Sequence, residues 1–160
     1  MKIGIYGGTF NPPHNGHITA AQAAIQQLEL DKLLLIPDKI PPHKELPSGS
    51  ANEQQRYEMT VLAAGKLGKI AEVTDMELRR PGKSYTSDTL RELQERYPGD
   101  ELFLLMGSDM FLSFQEWREP EAICQMAILA PFSRTEEGEA EAFARQKETL
   151  ERLTAQRFRS

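Results

Sequence analysis

Short apolar runs alternate along this chain with longer segments in which apolar residues recur every three or four positions. A short apolar run bounded by turn residues predicts a buried strand, and the longer periodic segments predict amphipathic helices. The predicted strands lie at 2–6, 32–36, 70–74, 102–106 and 126–130. The predicted helices lie at 16–28, 51–66 and 86–97, and a terminal amphipathic helix is predicted at 139–158.

Alternating strands and helices predict an α/β fold, a Rossmann-like parallel sheet of about five strands with helices on both faces. The length of 160 residues fits one domain over 1–160. Ligands of such sheets bind at the carboxyl ends of the strands, so the segment after each strand is a candidate site. One of these segments, 37–50, is rich in Pro, Lys and Ser and is predicted to form a flap.

Charge and composition narrow the classes of partner. The net charge of −5 argues against a general nucleic-acid surface, which usually needs a basic face. No apolar run is long enough to span a bilayer and no signal peptide precedes the first strand, so we expect no membrane partner and a cytoplasmic location. The single cysteine, Cys124, allows no internal disulfide and is predicted to be buried among apolar neighbours. A homo-oligomer is compatible with the sequence, but no pattern predicts one.

The segment after the first strand carries the clearest chemical pattern, Gly7-Gly8-Thr9-Phe10-Asn11-Pro12-Pro13-His14-Asn15-Gly16-His17. Glycines let backbone N–H groups approach a ligand closely, and the free N–H groups of a helix N-terminus attract anions. His14 and His17 are three residues apart, so both imidazoles are predicted to share one helix face. The pattern predicts a polyphosphate site. A zinc site completed by His43 is the alternative, although no Cys cluster or HExxH motif supports it.

This segment resembles the signature of the nucleotidylyltransferase superfamily, in which His14-Asn15-Gly16-His17 is the HxGH element. Four further segments narrow the resemblance, over 1–134, to the bacterial nicotinate-mononucleotide adenylyltransferases: Ile-Pro-Pro-His-Lys at 40–44, Ser84-Tyr85-Thr86, Gly-Ser-Asp-Met at 107–110, and Trp117. The resemblance implies an enzyme of NAD biosynthesis that transfers the adenylyl group of ATP to nicotinate mononucleotide, with Mg²⁺ bound through the ATP phosphates. Relatives carry a later Ile-Ser-Ser-Thr-x-Ile-Arg type segment that holds phosphates. We find no such segment, so the C-terminal part of the family fold is expected to be missing.

The same resemblance implies roles for individual residues. His14 and His17 would be catalytic at the ATP phosphates, and no residue is expected to bind a metal directly. The ATP-binding set would be Gly7, Gly8, Thr9, Phe10, His14, His17, Gly107, Asp109 and Arg134. The mononucleotide-binding set would be Lys44, Ser84, Tyr85, Thr86, Trp117 and Arg118. Within that set, Trp117 would stack on the pyridine ring, while Thr86 and the Arg118 N–H would meet the carboxylate.

Several of these residues have a purely structural alternative. The Phe10 ring is as well suited to packing beneath the loop as to contacting a ligand. In the packed alternative, only the Phe10 N–H would lie near a ligand. Asp109 is a candidate helix cap, ribose ligand or ligand of hydrated Mg²⁺. Ser84 or Thr86 is predicted to cap the helix at 86–97. A lone tryptophan such as Trp117 is usually part of a core, although its polar neighbours favour a pocket wall.

Two other functions stay open from the sequence. One is a related transferase with a different acceptor, such as phosphopantetheine or a cytidylyl acceptor, against which Trp117 and Ser84-Tyr85-Thr86 weigh. The other is a non-catalytic nucleotide-binding module, because such a module would keep the first motif intact and lack the last one.

Overall fold

Five strands follow the predicted apolar runs: β1 (Lys2–Gly8), β2 (Lys32–Pro37), β3 (Ala71–Val73), β4 (Glu101–Gly107) and β5 (Ile128–Phe132). The computed structural model describes residues 1–8, 10, 15–38, 52–81 and 85–132, without the side chains of Asn15, Ser108 and Asp109. The strands belong to one sheet in the order β3-β2-β1-β4-β5. Strand β2 pairs in parallel with β1 and with β3, and β4 pairs in parallel with β5. The predicted α/β fold with a five-stranded Rossmann-like sheet is confirmed.

Five α-helices are present in the described residues: α1 (Asn15–Leu28), α2 (Glu53–Ala64), α3 (Thr86–Arg96), α4 (Ser108–Leu112) and α5 (Pro120–Met126). Two short 3₁₀-helices lie at Gly65–Leu67 and Phe114–Glu116. The first three α-helices confirm the predicted helices, with ends that differ by one or two residues. Helix α2 begins where the side chain of Asn52 accepts the Gln55 N–H at 2.8 Å and the Gln55 side chain accepts the Asn52 N–H at 3.0 Å. This reciprocal capping box fixes the start of the helix.

The chain divides into two units, 1–85 and 86–160. The first contains β1 to β3, and its core includes Ile3, Ile5, Met76 and the run from Leu33 to Ile36, all at most 4% exposed. Such an uninterrupted buried run is typical of a parallel strand covered on both faces. The second contains β4 and β5, and its core includes Leu90, Leu93, Phe103, Phe114, Ile123 and Leu129, each at most 1% exposed. Cys124 is a buried thiol outside any disulfide, as predicted.

The ends of two strands, β1 and β5, differ most from the prediction. Strand β1 continues two residues further because its ladder with β2 runs on to Gly8 opposite Pro37, so Gly7 and Gly8 are strand residues rather than turn residues. Strand β5 starts at Ile128, because Met126 closes α5, a helix that was not predicted. The predicted terminal helix and positions 39–50 of the predicted flap lie outside the described residues. None of the described helices combines the length and the apolar character needed to cross a bilayer.

Candidate active site

The carboxyl end of β1 offers backbone without side chains. A Cβ added at Gly7 would come no closer than 3.8 Å to the Ile36 carbonyl oxygen, and one at Gly8 would lie 3.5 Å from the Phe10 ring. Both distances are ordinary contacts, and neither glycine has a positive φ. Packing and backbone conformation in the described part of the chain therefore do not require glycine here. The missing side chains leave this strand end, where Gly7 is exposed, open to close approach by a ligand.

His17 is held beside this strand end by two aromatic rings. Its imidazole centroid lies 6.0 Å from the Tyr6 ring and 5.1 Å from the Phe10 ring, both in edge-to-face geometry. Tyr6 and Phe10 also meet each other edge to face at 5.6 Å, and both are at most 4% exposed. The half-buried His17 is the third residue of α1, whose first turn contains no acidic side chain. The imidazole therefore sits at the positive end of a helix dipole, where an anion is stabilised.

Phe10 resolves one of the alternatives left by the sequence. Its ring is 3% exposed and packs on Tyr6 and His17, so the ring is structural and is not offered to a ligand. Its φ of 50° is left-handed, which costs about 1–2 kcal/mol for a residue with a Cβ. Burial of the aromatic ring offsets that strain. Thr9 and His14 lie outside the described residues, and the prediction that His14 shares a helix face with His17 stays a prediction.

A buried arginine reaches the same strand end from α2. The side chain of Arg56 donates to the Asp38 carbonyl oxygen at 2.7 Å and lies 3.4 Å from the Asp38 carboxylate. The Asp38 N–H in turn donates to the Gly8 carbonyl oxygen at 2.9 Å. Arg56 thus ties α2 to Asp38, the residue whose backbone joins the end of β2 to the glycine end of β1. Sequence reasoning missed Arg56, because an arginine on a helix is usually solvated.

In the second unit, Trp117 lies against the core without being enclosed by it. Its ring centroid is 5.0 Å from that of the fully buried Phe114, with the planes tilted by 48°. Its backbone N–H donates to the Phe114 carbonyl oxygen at 3.0 Å. The side chain is half-buried, which combines the two alternatives for a lone tryptophan: one part packs on core residues and another part remains exposed.

The start of α3 meets the segment that follows Trp117. The Arg91 guanidinium lies 2.9 Å from the Glu119 carboxylate, and this contact lowers the pKa of Glu119. Arg118 is exposed and adds a weaker favourable charge. These contacts join the beginning of α3, where Thr86 is the first helical residue, to the neighbourhood of Arg118. A cap residue precedes the first helical residue, so Thr86, which is itself the first residue of α3, is not the cap. Ser84, the other candidate cap, lies outside the described residues.

For the remaining residues predicted to form the site, the structure gives mainly their place in the fold. Gly107 ends β4 opposite Phe132 of β5 and directly precedes α4. Asp109 is the second residue of α4 and Gly107 holds the cap position, so the helix-cap alternative for Asp109 is excluded. Tyr85 is half-buried just before α3. Lys44, Arg134 and the two other histidines of the zinc alternative lie outside the described residues. In the described ranges, no three His, Cys, Asp or Glu side chains converge as a metal site would require.

Comparison with known proteins identifies sequence relatives of this chain. The model of the family described as "Cytidylyltransferase-like" matches residues 5–158. A Dictyoglomus thermophilum protein named "Probable nicotinate-nucleotide adenylyltransferase" is 47% identical over 134 residues, which are 84% of this chain and 67% of the relative. A Shouchella clausii protein of the same name is 44% identical over 83% of this chain and 68% of the relative. The chain therefore spans about two-thirds of the length of these curated relatives.

A solved structure supports the fold. The structure described as Plasmodium falciparum nicotinic acid mononucleotide adenylyltransferase complexed with APC superposes with a TM-score of 0.70. The superposition covers 88% of this chain and 70% of that chain, with 17% sequence identity. At this identity the likeness concerns the backbone architecture alone.

Proposed function

The chain belongs to the cytidylyltransferase-like family and, within it, to the nicotinate-nucleotide adenylyltransferases, and on that basis we propose that it joins ATP to nicotinate mononucleotide. The membership confirms the predicted family and the predicted enzyme class, adenylyl transfer in NAD biosynthesis. The observation that carries the proposal is the 47% identity over 134 residues with the Dictyoglomus relative. A cytoplasmic location is part of the proposal, and a single cysteine that is a buried thiol is compatible with it.

The ATP phosphates are proposed to bind at the carboxyl end of β1. Support comes from the side-chain-free backbone of Gly7 and Gly8 and from His17 at the start of α1. A triphosphate needs donors and positive potential, and both are concentrated at a helix N-terminus that lacks acidic residues. We propose Thr9 and His14 as further phosphate contacts, and Gly107, Asp109 and Arg134 as contacts to the rest of ATP, by analogy with the family's motifs.

For the mononucleotide, the second unit supplies the proposed contacts to the pyridine ring and to the carboxylate. A half-buried Trp117 braced by Phe114 gives a flat, rigid surface suited to stacking on a pyridine ring. Thr86 opens α3, so its N–H is one of the helix donors that have no intrahelical partner and suit a carboxylate. The contacts of Glu119 with Arg91 join the same helix to the neighbour of Arg118. Lys44, Ser84 and Tyr85 complete the proposed mononucleotide set by analogy with the family.

The proposed reaction needs placement and charge neutralisation rather than a general base. The 5′-phosphate of the mononucleotide is ionised at neutral pH, so its oxygen attacks the α-phosphorus of ATP directly and pyrophosphate leaves. His17 would donate to the α-phosphate as negative charge develops there. The family uses a divalent cation, which we propose to be Mg²⁺ held by the ATP phosphate oxygens, where it would neutralise their charge. The donors at this strand end fit that arrangement, since His17 and the N–H groups at the start of α1 suit phosphate oxygens.

A pyrophosphate-release assay with alternative acceptors tests the proposal. The purified chain is incubated with ATP, Mg²⁺ and either nicotinate mononucleotide, nicotinamide mononucleotide or phosphopantetheine. We expect release that depends on both ATP and nicotinate mononucleotide, with slower release for the amide because it lacks the carboxylate. Fastest release with phosphopantetheine would assign the chain to a different acceptor. ATP binding without release for any acceptor would identify a non-catalytic module.

A further inference from the structure

The backbone turns sharply directly after Trp117 and Arg118. Glu119 has φ 53° and ψ 54°, a left-handed conformation that is rare for residues other than glycine and asparagine. Its successor, Pro120, begins α5, and a following proline disfavours helical backbone and favours extended backbone. The conformation of Glu119 is therefore opposed both by its own Cβ and by Pro120. Contacts from elsewhere in the unit must hold it.

Two sets of contacts hold Glu119 from opposite sides. On the backbone side, its carbonyl oxygen accepts the Ile123 N–H of α5 at 3.1 Å. On the side-chain side, its carboxylate accepts the Arg91 guanidinium of α3 at 2.9 Å. Arg91 is itself fixed by a second contact, at 3.3 Å, with the Asp88 carboxylate one helical turn earlier. The guanidinium thus bridges two acidic groups and connects α3 to the left-handed turn.

We propose that Arg91 is a positioning residue for the mononucleotide site: by holding Glu119, it fixes the turn that orients the Trp117 ring and the Arg118 N–H. Trp117 is anchored on its other side by Phe114, so the direction of the segment is set at both ends. The assignment of the ligand rests on the proposed function. The effect of Arg91 on the geometry of Trp117 does not depend on it.

The exposure of the pair separates this role from a general stabilising one. The Arg91 and Glu119 side chains are 47% and 44% exposed, and ion pairs of this exposure contribute little to global stability. Loss of the contact is therefore expected to leave the folded state intact while widening the range of conformations available to Trp117. Ligand binding then has to select the productive conformation, which raises KM rather than lowering kcat.

The test compares Arg91→Met and Glu119→Gln with Arg96→Met. Arg96 is the matched control, since it lies on the same helix, is 41% exposed and forms a 4.0 Å pair with Glu92, away from the turn. The chain contains one tryptophan, so its intrinsic fluorescence reports Trp117 alone. In the free protein we expect acrylamide quenching of this fluorescence to increase in both test variants and to match the parent in Arg96→Met. The melting temperatures should stay close to that of the parent in all three.

Kinetics supply the second readout. In Arg91→Met and Glu119→Gln, KM for nicotinate mononucleotide should rise about two- to fivefold, with kcat and KM for ATP near those of the parent. Arg91→Lys, which can still reach the Glu119 carboxylate, should restore part of the affinity. Parent-like quenching and KM in both test variants would overturn the proposal. Increased quenching in a chain whose parent shows no activity with the mononucleotide would support the role of Arg91 in orienting Trp117 and refute the proposed function.

Discussion

Replacing Arg56 with methionine tests how the glycine end of β1 is held. Arg56→Met keeps most of the apolar volume of the side chain but removes its charge and its donors. The Asp38 carbonyl oxygen then loses the 2.7 Å hydrogen bond, and the Asp38 carboxylate loses its cation at 3.4 Å. Because Asp38 also donates to the Gly8 carbonyl oxygen, the change reaches the proposed phosphate site.

The expected destabilisation follows from the exposure of the two partners. The Arg56 side chain is 1% exposed, which places the contact among buried pairs, for which removal of one partner costs about 3–5 kcal/mol. The Asp38 side chain is 14% exposed, so water can solvate part of the charge that is left behind. We therefore expect a loss of about 2–3 kcal/mol in the free energy of unfolding, between the value for a buried pair and that for one unsatisfied buried acceptor.

Urea unfolding followed by far-ultraviolet circular dichroism measures this loss. Arg56→Met should lower the midpoint with an unchanged m-value, and Arg56→Lys, which keeps the charge but not the planar fork, should lose less. Glu58→Gln on the same helix is the control, since Glu58 is exposed and its replacement should change stability by less than about 0.5 kcal/mol. An Arg56→Met variant as stable as this control would refute the claim that the contact holds the strand end.

Four further changes follow from the site. Phe10→Ala removes a buried ring and should cost about 3–5 kcal/mol of unfolding free energy; a loss below about 1 kcal/mol would contradict its packing role. His17→Ala should lower kcat about 10²- to 10³-fold while the fold persists, and unchanged turnover would exclude it from catalysis. Trp117→Ala should weaken mononucleotide binding in calorimetry and leave ATP binding intact; the reverse pattern would contradict stacking. Arg91 lowers the pKa of Glu119, so their contact should persist at and above the usual value of 4.5 and be lost only as pH falls below it. A change in Trp117 quenching near neutral pH would contradict the claim that this ion pair holds Trp117.

The sequence predicted the regular elements well because their signals are local. Buried parallel strands read as apolar runs, and α1, α2 and α3 have clear periodicity or capping residues. The end of β1 was placed too early because glycine is depleted in strands, whereas the ladder with β2 continues through Gly7 and Gly8. Helices α4 and α5 were missed because segments of five and seven residues show too little periodicity. For α5, Pro120 at the first helical position was a signal that was available.

The candidate site was predictable only where it depends on motif residues. The glycines, His17 and Trp117 could be identified from their order in the chain. The contacts that hold them could not, because Tyr6, Arg56, Arg91 and Glu119 are ordinary residue types whose roles arise from tertiary contacts. The left-handed backbone at Glu119 is a further example, since no local preference of glutamate favours it.

Transfer of a labelled adenylyl group tests the central claim most directly. The chain is incubated with Mg²⁺, nicotinate mononucleotide and ATP labelled at the α-phosphate, and the products are separated by chromatography. The account predicts that the label moves into nicotinate adenine dinucleotide, that omission of the mononucleotide abolishes the transfer, and that His17→Ala slows it. Label that remains in ATP, or that appears only in free AMP, would contradict the account.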